Sequence, residues 1–242
     1  MIYYLTGSNG FLAKHIEKYL IAKGDIVICH QRDKGFERVS NCDIIINCQA
    51  YGNHHDQKLI GETIKANCID MMDLLMSCDN QKIYNISTSS IGLRVQTPYS
   101  LTKHLGEMIC NNSGKDVVNV RPYTLFGEGD NPNHLIPTII RHLHSGETMQ
   151  LVTEPTHDYI YVDDFIDAMF EGHTEIGSGK SYTNLEIVKL LEKISGKSLN
   201  FVQVQRMREY DNEHWVCQTP VKTTDFESNL RKTYESYSQA NN

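Results

Sequence analysis

Ile2-Tyr3-Tyr4-Leu5-Thr6-Gly7-Ser8-Asn9-Gly10-Phe11-Leu12-Ala13 is the stretch on which the reading of the whole chain turns. Residues 2–6 form a short apolar run of the kind that makes a buried strand, ending at Thr6. Gly7 and Gly10 punctuate the chain, and Phe11, Leu12, Ile16, Tyr19 and Leu20 then recur at helical spacing until Gly24 supplies a stop. Strand, glycine turn and helix in that order let the backbone come close to a pyrophosphate, with the helix N-terminus facing its negative charge. Gly-x-x-Gly alone describes any tight strand-to-helix turn, and it is the position at the first strand that points to a ligand. Ala13 stands at a site that needs only a small residue for helix–strand packing.

Outward from this turn the chain alternates. Residues 25–30 read as a second strand, and 42–48 as a third whose Ile44, Ile45 and Ile46 give the continuous apolar character of a parallel sheet. A helix is predicted over 62–77, a strand over 82–86, a helix over 99–110 and a strand over 117–120. This predicts an α/β fold, a Rossmann-type doubly wound parallel sheet, with a dinucleotide-binding domain over 1–125. After the loop Gly127-Glu128-Gly129-Asp130-Asn131-Pro132 the alternation stops, and a smaller C-terminal lobe over 126–242, partly interleaved with the first, is expected. Within it Thr183 and Glu186 form a capping-box start for a helix that Gly196 stops, and 225–238 read as a last helix.

Composition narrows the class. The 242 residues are 40% hydrophobic and 22% charged, ordinary values for a folded globular protein. A formal net charge of −7 lacks the Lys/Arg surplus that phosphate-backbone binding draws on, so no nucleic-acid partner is expected. Cys29, Cys42, Cys48, Cys68, Cys78, Cys110 and Cys217 are an odd number with no Cys-x-x-Cys pair and no Cys/His metal spacing. They read as free thiols in a reducing compartment, and no metal is expected. His142 and His144 are two apart on a predicted helix and cannot share a face, so they read as solvated or supporting residues. No secretory signal precedes Ile2 and no stretch approaches a membrane span, which predicts a cytoplasmic location and no membrane partner.

Tyr99 and Lys103 are four apart, so a helix starting near Pro98 places both on one face. A phenol with a reference pKa of about 10 can exchange protons near neutrality if an adjacent ammonium stabilises its phenolate. Tyr-x-x-x-Lys taken alone fits an ordinary amphipathic helix with a solvated lysine. Beside Ser87-Thr88-Ser89-Ser90 at the end of the preceding strand it becomes a hydroxyl–phenol–ammonium set suited to polarising a carbonyl or carbinol oxygen. At the end of the second strand, where a carboxylate would meet an adenosine ribose, stand His30, Gln31 and Arg32. The missing carboxylate and Arg32 lean toward NADP, while Asp33 serves NAD if the strand runs farther.

With these residues in place the chain resembles the NAD-dependent epimerase/dehydratase family, the extended short-chain dehydrogenases. The resemblance rests on Thr-Gly-Ser-Asn-Gly-Phe-Leu-Ala at 6–13, Ile-Ser-Thr-Ser-Ser at 86–90, Pro-Tyr-Ser-Leu-Thr-Lys at 98–103 and Val-Arg-Pro-Tyr-Thr-Leu-Phe-Gly at 120–127. Leu-Ile-Pro at 135–137 and His-Asp-Tyr-Ile-Tyr-Val-Asp-Asp at 157–164 resemble its substrate-lobe landmarks, so coverage runs from residue 1 to about 195. The resemblance implies that Tyr99 is the general acid/base, that Lys103 orients the nicotinamide ribose and lowers the phenol's pKa, and that Thr88 is the hydroxyl partner, with Ser87 and Ser89 as alternatives. It implies a cofactor, NAD or NADP, held by Gly7, Asn9, Gly10, Phe11, Leu12, Arg32, Ala50, Asn67, Lys103 and Pro122. It makes the C-terminal lobe substrate-binding, with Ser89, His134, Leu135 and His157 against a nucleotide-linked sugar; a homodimer is one assembly open to the chain.

Three departures stand out. About a dozen residues separate the second and third strands, leaving no room for the family's usual intervening strand and helix. The interval from Thr88 to Tyr99 is short, with Ile91-Gly92 in place of the usual Tyr-Gly. His157 stands where many relatives carry an arginine, and a neutral imidazole binds phosphate more weakly than a guanidinium. Ser89 and Ser90 also replace the Asp-Glu pair that dehydratases resemble one another in carrying, which leaves C4 epimerisation or 4-ketoreduction by hydride transfer. The competing class is a catalytically silent NAD(P)-binding redox-sensing regulator, which has no use for a complete Thr, Tyr and Lys set.

Overall fold

A computed structural model of the chain describes residues 1–31, 35–36, 39–53, 57–205 and 215–239. The chain divides into two compact units, one of residues 1–92 and 96–121, the other of residues 93–95 and 122–242.

The first unit is built as β1 (Ile2–Thr6), α1 (Phe11–Ala22), β2 (Ile26–Cys29), β3 (Ile44–Asn47), α2 (Ile60–Ile64), a π turn (Lys65–Ile69), α3 (Asp70–Ser77), β4 (Lys82–Ile86), a 3₁₀ turn (Ser89–Gly92), α4 (Pro98–Asn111) and β5 (Val117–Pro122). Its strands pair in parallel in the order β2-β1-β3-β4-β5. This is the Rossmann-type α/β sheet expected. Leu5, Ile45, Ile46 and Ile83 are fully buried, which is why β3 carries an unbroken apolar run instead of an alternating one.

Strand β2 is an edge, with Ile26 and Ile28 exposed, and among the described residues no strand pairs beyond it. The connection to β3 turns back onto the sheet instead. Val39 bridges to Cys78, its N–H donating to the Ser77 carbonyl at 2.9 Å, and Val39 joins a core of Ile45, Met71, Leu74, Leu75, Cys78, Ile83 and Cys110 against which Phe36 packs.

The helix predicted over 62–77 is α2, the π turn and α3 in succession, starting at Ile60. The extra residue of the π turn brings Ala66, Asn67 and Cys68 inside. Helix α4 lies against this turn, and a Cβ at Gly106 would come within 2.6 Å of the Asn67 carbonyl oxygen, so only glycine permits the approach. The start of α4 is fixed by Pro98 at its first position and a capping box. The Thr97 hydroxyl accepts from the Ser100 N–H at 3.1 Å, and the Ser100 hydroxyl accepts from the Thr97 N–H at 2.8 Å.

The second unit contains β6 (Thr124–Phe126), α5 (Leu135–Ser145), β7 (Met149–Leu151), β8 (Thr156–Tyr161), α6 (Val162–Phe170), β9 (Glu175–Ile176), β10 (Ser181–Thr183), α7 (Asn184–Ser195), β11 (Phe201–Gln203) and α8 (Phe226–Gln239). Strands β10-β8-β6 form one sheet and β11-β7 a pair. Thr183 and Glu186 cap α7 reciprocally, and Gly196 ends it at φ +68°. Of the two readings open for His144, the supporting one holds: its ring is stacked on Tyr234 at 5.3 Å and its Nε2 lies 3.0 Å from the Ser238 hydroxyl. All seven cysteines are free, and burial pushes the Cys48 and Cys110 thiols up to about 12, which keeps them protonated and inert.

Candidate active site

The glycine turn at the head of β1 has two reasons to be glycine. Gly7 adopts φ +64°, and a Cβ there would lie 2.8 Å from the carbonyl carbon and oxygen of Cys48 and 2.9 Å from the Gln49 nitrogen. The turn closes with the Gly10 N–H donating to the Gly7 carbonyl at 2.8 Å. Gly10 then begins α1 with no side-chain cap and no acidic residue in the first turn. The N–H groups and positive end of the helix dipole are thus presented to an anion. Asn9 and Gly10 are exposed, Phe11 and Leu12 half-buried, and Ala50, just past β3, is exposed. A cradle that a Cβ would fill and a helix start without side-chain competitors fit the pyrophosphate of a dinucleotide.

Lys103 is buried on α4, its Nζ donating to the carbonyl of Ile86, the last residue of β4, at 2.6 Å. Burial lowers its pKa to about 8. Burial also raises the Tyr99 phenol to about 12, so the lowering that the family resemblance ascribes to Lys103 is not present in the protein by itself. Desolvation is the cause of the Tyr99 shift, and the Lys103 ammonium is engaged at the Ile86 carbonyl. Thr88 and Ser89 are buried; the Thr88 hydroxyl lies 2.9 Å from that of Ser90, whose N–H also reaches it at 3.2 Å. The Ser87 hydroxyl is buried with no hydrogen-bond partner.

Asn67 works as a brace. Its Nδ2 donates to the Tyr51 carbonyl and to the Thr102 hydroxyl, both at 2.9 Å, while its Oδ1 accepts from the Tyr51 N–H at 3.1 Å. The loop after β3 is thereby pinned to the turn of α4 that lies between Tyr99 and Lys103. A Cβ at Gly52, φ +96°, would touch Thr63 at 3.0 Å and the Tyr99 Cβ at 3.5 Å, so this loop closes tightly over the helix start.

Two supporting residues escaped the sequence reading. Arg121 grips the buried carboxylate of Glu107 through Nε at 2.9 Å and Nη2 at 2.6 Å, one helical turn beyond Lys103. The spacing of Glu107 from Lys103 was a usable signal, whereas its pairing with β5 needed the fold. Arg32 and Asp33, read against the ribose, lie outside the described residues.

The remaining predicted residues belong to the second unit. Pro122 ends β5. His134 precedes α5, its Nδ1 2.8 Å from Oδ1 of buried Asp130, and Leu135 is the first residue of that helix. His157 lies on β8, edge-on to Tyr159 at 5.9 Å. A cleft of this unit is lined by Phe126, Tyr159, Tyr161, Asp164, Lys180 and Tyr182, with Phe226 stacked on Tyr182 at 4.4 Å.

Comparison with known proteins places this geometry. Residues 3–187 match the NAD dependent epimerase/dehydratase family, and the chain belongs to that family: it is an enzyme of the extended short-chain dehydrogenase/reductase type. It is 24% identical over 257 residues to a low-salt glycan biosynthesis protein of Haloferax volcanii, spanning 92% of this chain and 82% of that protein. It is 25% identical over 232 residues to the CDP-abequose synthase of Salmonella muenchen, spanning 78% and 79%. In fold it is similar to a UDP-glucose 4-epimerase of Thermotoga maritima solved with UDP-glucose, with a TM-score of 0.88 and 19% identity over the whole of both chains. Other structures of this fold are complexes with NAD and with NADPH.

Proposed function

We propose that the protein transfers a hydride between a nicotinamide dinucleotide and a ring carbon of a nucleotide-linked sugar, as a C4 epimerase or a 4-ketoreductase. The observation that carries this reading is the buried Lys103 ammonium, held at the end of β4 next to the Ser87–Ser90 hydroxyls and one helical turn from Tyr99. The dinucleotide, NAD or NADP, supplies the hydride acceptor or donor when bound. Tyr99 donates or accepts the proton of the sugar oxygen, and Thr88 steadies that oxygen by hydrogen bonding. Lys103 favours the phenolate electrostatically and orients the ribose. Gly7, Asn9, Gly10, Phe11, Leu12 and Ala50 form the dinucleotide cradle, with Asn67 and Pro122 supporting it. Ser89, His134, Leu135 and His157 contact the sugar nucleotide. Ser89 and Ser90 offer no carboxylic acid and base for water elimination, which favours these two reactions over dehydration.

A second copy of the chain is part of the proposal. Ile60, Ile64, Ile69, Met72 and Met76 make an exposed apolar stripe along α2, the π turn and α3, and Leu101, Leu105 and Met108 make one along neighbouring α4. Eight such side chains on adjacent helices exceed the scattered exposure normal for a monomer, and two copies meeting about a twofold axis would bury both stripes.

The test of the activity is to incubate the protein with UDP-, CDP- and dTDP-linked hexoses and their 4-keto derivatives and follow the sugar ring by NMR. Inversion at C4 or reduction of the keto group, dependent on Tyr99, supports the proposal. A cofactor-loaded protein that converts none of these, and exchanges no hydride with its cofactor, contradicts it.

A further inference from the structure

Three strands of the sheet carry an asparagine at one level. Thr6 of β1, Asn47 of β3, Asn85 of β4 and Asn119 of β5 stand in register, and in parallel strands residues in register project from the same face. Their side chains are joined in sequence. The Thr6 hydroxyl donates to Asn47 Oδ1 at 2.5 Å, Asn47 Nδ2 to Asn85 Oδ1 at 3.0 Å, and Asn85 Nδ2 to Asn119 Oδ1 at 2.8 Å. Asn119 Nδ2 then donates to Asn111 Oδ1 on α4 at 2.9 Å.

The direction of this chain is fixed by the backbone. Asn47 Oδ1 also accepts from the Gln49 N–H at 3.3 Å, and a backbone N–H can only donate, so the Asn47 amide oxygen must face it. Its NH₂ then faces Asn85, which must present oxygen, and the same logic carries to Asn119. All the amide dipoles align, so each bond polarises the next. Thr6, Asn47 and Asn85 are buried, where apolar side chains would pack the same face with no desolvation cost. What the amides add is directional restraint on the strand ends.

Those ends carry the site. Thr6 leads into Gly7, which lies against the Cys48 and Gln49 backbone that Asn47 holds. Asn85 leads into Ile86, whose carbonyl receives the Lys103 ammonium. We propose that Asn47 and Asn85 are positioning residues: the amide ladder keeps the glycine turn and the Lys103 anchor at one level, so that the two halves of the cofactor cradle stay in register. This rests on the reading of the site as a nicotinamide dinucleotide site.

The test uses the full chain with NADH and NADPH as probes, measuring Kd by fluorescence titration and folding by thermal melting. Asn85→Leu removes the central link while filling its space, and is expected to melt cooperatively yet bind cofactor at least about tenfold more weakly, the scale of one lost buried hydrogen bond. Asn85→Asp distinguishes the ladder from packing. A protonated aspartic acid accepts from Asn47 and donates to Asn119, whereas the carboxylate cannot donate. Its Kd relative to wild type is therefore expected to be near unity at about pH 5 and to rise toward about pH 8 as the buried carboxyl ionises. Should Asn85→Leu not fold, the Asn85→Asp series carries the test alone. Wild-type affinity in Asn85→Leu, or a loss in Asn85→Asp that does not change with pH, overturns the inference. Wild-type protein that binds neither probe overturns the dinucleotide reading itself, and the ladder's role with it.

Discussion

Tyr99 and Lys103 both sit where burial favours the neutral form, the phenol raised to about 12 and the ammonium lowered to about 8. At neutral pH both still carry their protons, so Tyr99 is poised as an acid and Lys103 as its charged neighbour. Tyr99→Phe keeps the ring and removes the proton, and is expected to lower turnover by about 10²- to 10⁴-fold while cofactor affinity stays within about twofold. Steady-state rates and fluorescence titration read the two separately. In the proposed reaction Lys103 works charged, so kcat/KM should fall as pH rises through about 8, and Lys103→Arg, charged throughout, should lack that limb. Stability runs the other way. The folded value of about 8 lies below the ordinary 10.5, so the unfolded chain holds the extra proton between these values and the Lys103 contribution, read as the difference between wild type and Lys103→Met, should rise with pH across that window, while the Cys48, Cys110 and Tyr99 groups raised to about 12 act in the opposite sense. Thermal melts over the same pH range check it.

The elements were legible in the sequence to different degrees. Strand β4, the start of α4 and the capped start of α7 could be placed closely, because apolar runs, Pro98, Thr183 and Glu186 act locally. The π turn was not, since residues 60–77 keep a helical pattern whether or not one extra residue is wound into it. Nor was the asparagine ladder. Asn47, Asn85 and Asn119 each read as a polar residue near a strand end, and only the register shows that they meet. The proposed catalytic set was legible as residue types and spacing, whereas the Lys103–Ile86 contact and the Glu107–Arg121 pair join separate segments. Two variants test the elements. Gly7→Ala should disrupt the β1–α1 turn, because its φ of +64° strains an alanine and its Cβ meets Cys48 and Gln49; a cost of about 1–3 kcal/mol and a loss of cofactor binding are expected by chemical denaturation and titration. Arg121→Met leaves the Glu107 carboxylate buried and unpaired, and should cost about 3–5 kcal/mol.

As a whole molecule the chain carries a Rossmann-type unit shortened on the β2 side and a second unit built on small sheets and helices. Among the described residues β2 is an edge, and the exposed apolar side chains of α2–α3 and α4 belong to other elements of the same unit. Leu105→Glu should convert a dimer to a folded monomer, read by light scattering and melting; an unchanged mass would remove the helical face as the interface. In the function proposed, this family member holds a nicotinamide dinucleotide for hydride transfer on a sugar nucleotide. The most direct measurement is to denature the purified protein, identify any released dinucleotide by mass spectrometry, and titrate the stripped protein with NAD(H) and NADP(H). Released NAD or NADP, or saturable binding of either by the stripped protein, is the predicted result; a protein that releases neither and binds neither would contradict the proposed function.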